Sequence, residues 1–263
     1  MVSYAMVRFY KYVGIESAKI IIKDATLKFT NPIDFNDPFD YHPTVDAKEF
    51  NKFIKRINNE IGDGIKRYKT SHSQLKIHLQ ELRSSKFREM YTKNMSVSCF
   101  SKSPFILPMW AHYANNHEGC VIEFEYKNEA KFFSEYFSLG IGDLSKILVP
   151  FDVNYSKERP RLFDEHGRTN SHNTGFYACL TKAKEWEYEQ EMRVVTMQPQ
   201  GIYPFERSQI TGVYFGMQID RNHKKEISRI IDSSNNHTGT NIKKHDVWMA
   251  YDKFDLSRLP FRL

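Results

Sequence analysis

The chain has 263 residues, 40% of them hydrophobic and 27% charged, with a mean hydropathy of −0.59. That balance suits a globular chain with a sizeable core, and it excludes a membrane-embedded one, because no apolar run approaches the roughly 18–20 residues of a spanning helix. A net charge of +6 and a pI near 9.0 favour anionic partners, nucleic acid or phosphorylated small molecules, as a bias in steering. Much of the positive charge falls in residues 52–93 and reads first as a solvated helical surface. Cys99, Cys120 and Cys179 are an odd number without CxxC spacing. They argue against a disulfide framework and a zinc site, and for a reducing cytoplasm.

In chain order, residues 6–13 alternate like a strand, with Arg8 and Lys11 interrupting any signal-peptide core. A short helix is expected over 15–24 and a strand over 27–29, ended by Asn31-Pro32 and the turn FNDPFD at 35–40. Apolar residues at three- and four-residue spacing over 46–93 predict two helices separated by Gly62 and Gly64, with Asp46 as the first N-cap. They form a helical insertion in a single domain spanning 1–263. A strand follows at 95–100, then a Pro-framed turn, a helix over 109–116 stopped by Gly119, and a strand at 120–126. Further on, a helix is expected at 129–137, a strand at 146–155, a mobile loop at 156–171, a helix at 174–184, strands at 192–197 and 210–217, a helix at 221–233, and a closing strand or pair at 242–254. The fold class is α+β, with a mixed, mostly antiparallel sheet and flanking helices.

Three segments concentrate reactive side chains. In EWEYEQEMR (185–193), Glu187, Glu189 and Glu191 occupy alternate positions. If extended, they share a face with Arg193 and repel one another unless Lys182, Lys184, Arg193 or substrate hydroxyls compensate. The alternative is an exposed strand edge with ordinary ion pairs. On the helix over 109–116, Met109, Trp110 and Tyr113 share one face, while His112 and Asn116 share another, spaced to hydrogen-bond and orient the imidazole. His112 and His117 lack HExxH spacing, so no metal is expected. Ser98 and Ser101 end a strand, where hydroxyls reach a ligand or form a turn, and no GxSxG elbow is present. EFEYK (123–127) contains the E-x-K of some nuclease strands, although an alternating strand's solvent face explains it as well.

Read in order, FYKY (9–12), FTNPIDFNDPFD (29–40), CFS (99–101), MWAHYANNHEGCVIEF (109–124), KEWEYEQEMR (184–193) and VYFG (213–216) resemble the bacterial and phage-associated family known as domain of unknown function 2971. Asp40 stands where that family more often has glutamate. More distantly, the order of tyrosine-bearing first strand, short helix, serine strand, aromatic helix and late glutamate strand is similar to ADP-ribosyltransferases. This is a fold-level analogy. It implies NAD as substrate, Glu189 or Glu191 as the carboxylate facing the ribose cation, Tyr113 or Trp110 stacked on nicotinamide, Ser101 on the adjacent ribose, and Lys11, Arg193 or His112 at the pyrophosphate. Tyr10, Tyr12, Asn36, Asp37 and Lys184 complete the expected pocket. Such an enzyme would be a toxin or phage-defence effector acting on nucleic acid or protein. Two readings stay open beside it. One is a metal-dependent nuclease whose Asp37, Glu123, Glu125, Glu189 and Glu191 converge on a divalent ion; the other is a non-enzymatic module that senses a nucleotide or binds a partner.

Overall fold

The computed structural model describes residues 6–60, 71–127, 146–169 and 174–262. Its centre is an eight-stranded sheet in the order β12-β11-β10-β4-β1-β3-β8-β5. The strands are β1 (Met6–Val13), β3 (Ser96–Ser101), β4 (Cys120–Lys127), β5 (Phe151–Asp152), β8 (Glu191–Thr196), β10 (Ile210–Phe215), β11 (Lys243–Met249) and β12 (Leu256–Pro260). Neighbours run antiparallel except β10 and β11, which are parallel and joined by the helix α7 (Arg221–Thr238). Parallel neighbours need such a crossover. Two small sheets flank it, one pairing β2 (Thr26–Phe29) with β9 (Gly201–Pro204), the other β6 (Asn154–Ser156) with β7 (Thr181–Ala183). The sheet is mixed, mostly antiparallel and curled, and the fold is α+β.

Alternation in β1 divides the core. Phe9 and Val13 join Phe100, Phe124, Ile227 and Ile231 in the cluster under α1 (Ile15–Asp24) and α7, while Tyr10 and Tyr12 join Trp110, Val121 and Tyr214 on the opposite face. Burying such rings is the main stabilising contribution of each face.

Between β2 and β3 lie three helices: α2 (Ala47–Glu60), α3 (His72–Leu82) and α4 (Ser85–Thr92). Asp46 caps α2, its Oδ1 accepting from the Lys48 and Glu49 amides at 2.7 and 3.2 Å. The second expected helix is two, broken at residues 83–84, where the Arg83 guanidinium donates to the Val45 carbonyl. Gly62, Gly64 and the helix expected at 129–137 lie outside the described residues.

Other differences have local causes. The strand expected at 146–155 is two short ones, because the chain changes sheets there, β5 pairing with β8 and β6 with β7. The helix expected at 174–184 ends early: α6 (Thr174–Cys179) gives way to β7. The stretch expected to be mobile is tied down as far as it is described. Thr44 donates its amide to the Pro160 carbonyl at 2.7 Å, and Leu162 and Phe163 are buried against α2. Strands β9 and β12 had no clear sequence signal.

The sheet is not evenly zipped. β1 pairs with β4 along its whole length and β3 does so with β8, but Tyr10–Ser101 is the one register pair between β1 and β3. Beyond that pair the two strands part, and a cleft opens between them.

Candidate functional site

The cleft has a volume of about 290 Å³, at the small end for ligand cavities. β1 contributes Tyr10, Lys11 and Tyr12; β3 contributes Ser98, Cys99 and Phe100; the FNDPFD turn contributes Phe35, Asn36 and Asp40; and Tyr113, Lys182, Glu189, Glu191 and Arg193 close it.

The glutamates are not one extended ladder. Lys184–Glu189 is a short 3₁₀ helix, and Gln190 adopts a left-handed φ of 47° before β8 begins at Glu191. Within the 3₁₀ helix Glu187 points outward to an exposed pair with Lys184 at 2.6 Å. Glu189 and Glu191 instead converge on Lys182, whose Nζ lies 2.5 Å from one and 2.9 Å from the other. Tyr113 donates its hydroxyl to Glu189 Oε1 at 2.9 Å. Arg193 donates from Nε to Glu191 Oε1 at 2.8 Å, forks onto both Asp40 oxygens at 2.9 and 2.6 Å, and also reaches the Cys179 carbonyl. All five charged groups are buried. Unpaired, each would be prohibitively costly, and the alternation of sign makes the arrangement tolerable.

Burial pushes Glu191 up, but the Arg193 and Lys182 charges prevail and hold it at about 2. Burial pulls Lys182 down, and Glu191 and Glu189 together raise it above its ordinary value. Burial and the Glu189 charge raise Tyr113, which stays a hydrogen-bond donor. Burial, with Glu191 nearby, pushes the Cys99 thiol far up. That thiol is not an activated nucleophile.

The family-model comparison bears on this region. Residues 109–194 match the family described as "Protein of unknown function (DUF2971)". This segment, about a third of the chain, is similar to DUF2971. Its span carries Tyr113, Lys182, Glu189, Glu191 and Arg193, whereas the FYKY, FNDPFD and VYFG stretches fall outside the matched residues. No curated protein and no solved structure matches the chain.

Several expected residues sit elsewhere. Trp110, inside the DUF2971 segment, is fully buried, edge-on to Tyr12, with Nε1 donating to the Pro104 carbonyl at 2.8 Å; it belongs to the core and not to the ligand wall. His112 is exposed and outside the cleft, because α5 (Leu107–Tyr113) ends one residue later and Asn116 has left the helix with a φ of 50°. Ser101 donates its hydroxyl to the Glu189 carbonyl at 2.7 Å, so it fixes the backbone that presents the carboxylate. Asp37 closes its own turn, accepting from the Phe39 amide at 2.9 Å, and does not line the cleft; neither does Lys184. Asn36 does, beside the Tyr113 hydroxyl. Tyr10 and Tyr12 border it, although Tyr12 spends its hydroxyl on the Ser103 carbonyl and the Ile106 amide.

The five carboxylates needed for a phosphodiester site do not converge. Glu123 is held by Thr211 and Tyr214, Glu125 pairs with Arg8, and Asp37 stays in its turn. Among the described residues no group of three or more His, Cys, Asp or Glu is placed to hold a metal ion. Asp40 and Lys182 were the residues sequence reasoning undervalued. Asp40 lay in a flagged motif, and Lys182 was visible only as a nearby cation.

Proposed function

We propose that the cleft binds NAD and breaks the nicotinamide–ribose bond, Glu189 being the carboxylate that faces the cation formed on the ribose. The observation that carries this reading is the Glu189 side chain at the cleft, aimed by Tyr113 at 2.9 Å and Lys182 at 2.5 Å. As nicotinamide leaves, positive charge develops on the ribose, and a fixed carboxylate in a partly dry cleft stabilises that charge more than it stabilises the neutral ring. Glu191 is the less suitable partner, because two cations, Arg193 and Lys182, already offset its charge, whereas Glu189 has one cation, Lys182, and the neutral Tyr113 hydroxyl.

The rest of the cleft supports the assignment. Phe35, Tyr10 and Tyr113 offer aromatic surface for a planar ring, replacing Trp110, and Lys28 on β2 faces the cleft as a cation for the pyrophosphate. A nucleoside-sized half of the dinucleotide fits within about 290 Å³, with the other half outside. The released ADP-ribosyl group would pass to water or to a nucleophile of a nucleic-acid or protein acceptor.

The test is nicotinamide release from NAD by the full-length protein, with thermal unfolding in parallel. Release together with a raised unfolding midpoint is expected, and Glu189→Gln should lower release by at least about 100-fold while the protein stays folded. Absence of both release and midpoint shift at saturating NAD would overturn the reading.

A further inference from the structure

The same cleft holds a second lysine in the opposite condition from Lys182. Lys11 Nζ lies 2.9 Å from Ser98 Oγ and 2.9 Å from the Cys99 carbonyl, where β1 and β3 part. Among the described residues no carboxylate pairs with it. Burial lowers its pKa, although Cys99 from β3 and Glu191 from β8, the titratable groups facing it, favour the charged form. The Ser98 hydroxyl is buried, lines the cleft and has Lys11 as its hydrogen-bond partner. With a charged lysine, Oγ accepts from Nζ. With a neutral one, Oγ–H donates to the Nζ lone pair and both groups are satisfied.

We propose that Ser98 and Lys11 are a nucleophile–base pair that gives the cleft a second activity, hydrolysis of small activated carboxylic esters through an acyl-serine. Lys11 Nζ takes the Oγ proton as the Oγ–carbon bond forms and the carbonyl pair moves onto oxygen. Collapse of that adduct breaks the bond to the leaving oxygen, which departs with the proton from Lys11. Water then attacks the acyl-serine, giving its proton to Lys11, and the carboxylic acid leaves as Oγ recovers its proton. A nucleophile within hydrogen-bond reach of a base of depressed pKa is what such chemistry requires. Two lysines with pKa values pushed apart in one cleft divide the labour, Lys182 as fixed charge and Lys11 as proton carrier. The assignment uses neither Glu189 nor NAD.

The experiment is labelling of the full-length protein with a biotinylated fluorophosphonate, in which the Oγ–phosphorus bond forms, fluoride leaves and the proton passes through Lys11 to solvent. One adduct is expected, on Ser98, accompanied by turnover of p-nitrophenyl acetate, and both should rise with pH as Lys11 loses its proton below the ordinary lysine range. Ser98→Ala should abolish the adduct. Lys11→Arg, which cannot act as a base, should slow labelling by at least about 100-fold in protein that circular dichroism shows to be folded. An adduct elsewhere, no adduct, pH-independent labelling of the wild type, or Lys11→Arg labelling at the wild-type rate would each overturn the proposal.

Discussion

Glu191 is held at about 2 against an ordinary 4.5 because Arg193 and Lys182 outweigh its burial. The shift is a stability statement. A carboxyl whose folded pKa is depressed contributes stability that is fully present above its unfolded pKa and is lost as pH falls through the folded one. Unfolding free energy should therefore decline by about 3 kcal/mol from this group as pH drops from about 5 to about 2. Carbon NMR titration of the folded protein checks it directly, and a Glu191 carboxyl titrating near its ordinary value would refute the account. Trp110 shows how much a neighbour decides at this scale. Its helix position put it on the face of Tyr113, yet the close approach of Tyr12 and the Pro104 carbonyl draws the indole inward.

At the scale of elements, the junction of α5 and β4 shows a backbone cause that composition conceals. Asn115, Asn116 and His117 take left-handed φ values of 48°, 50° and 70°, so the chain reverses before Gly119 is reached. Gly119 is needed for another reason: a Cβ there would lie 2.3 Å from the Val13 carbonyl oxygen, against β1. Gly119→Ala should thus force β1 and β4 apart at one end, lowering stability by several kcal/mol. Thermal unfolding measures the loss, and an unchanged midpoint would mean that the strands accommodate a methyl group. The same strands carry Lys11, so ligand binding to the cleft should weaken in any variant that folds.

Across the whole molecule, the cleft is assembled from residues far apart in sequence. Arg193 and Asp40 are 153 positions apart, and their fork of 2.9 and 2.6 Å ties the FNDPFD turn to β8, next to the edge of the sheet. Removing Arg193 leaves the Asp40 carboxylate alone in the interior, so Arg193→Met should cost about 3–5 kcal/mol, and Asp40→Asn, which leaves Arg193 with Glu191, should cost less. Together they should cost clearly less than the sum. A double-mutant cycle in urea gives the coupling energy, and additive losses would show that the pair does not hold the turn.

Much of this architecture was legible in advance. The alternation in β1, the spacing in α1 and α2, the Asp46 cap, the α+β class and the DUF2971 resemblance are local signals, because hydrophobic period and capping chemistry act within a few residues of one another. So was the grouping of FNDPFD, the aromatic helix and EWEYEQEMR around one pocket, since unusual residue types cluster where a chain builds something other than core. What the tertiary structure decided is which member of each motif faces the cleft. The 3₁₀ helix separates Glu187 from Glu189, Gln190's left-handed turn lets Glu191 meet the same lysine as Glu189, Ser101 is spent on a carbonyl while Ser98 meets Lys11, and Asp40 rather than Asp37 pairs with Arg193. These outcomes depend on strand register and on one backbone reversal, set by contacts between distant segments, and no short window of sequence contains both partners.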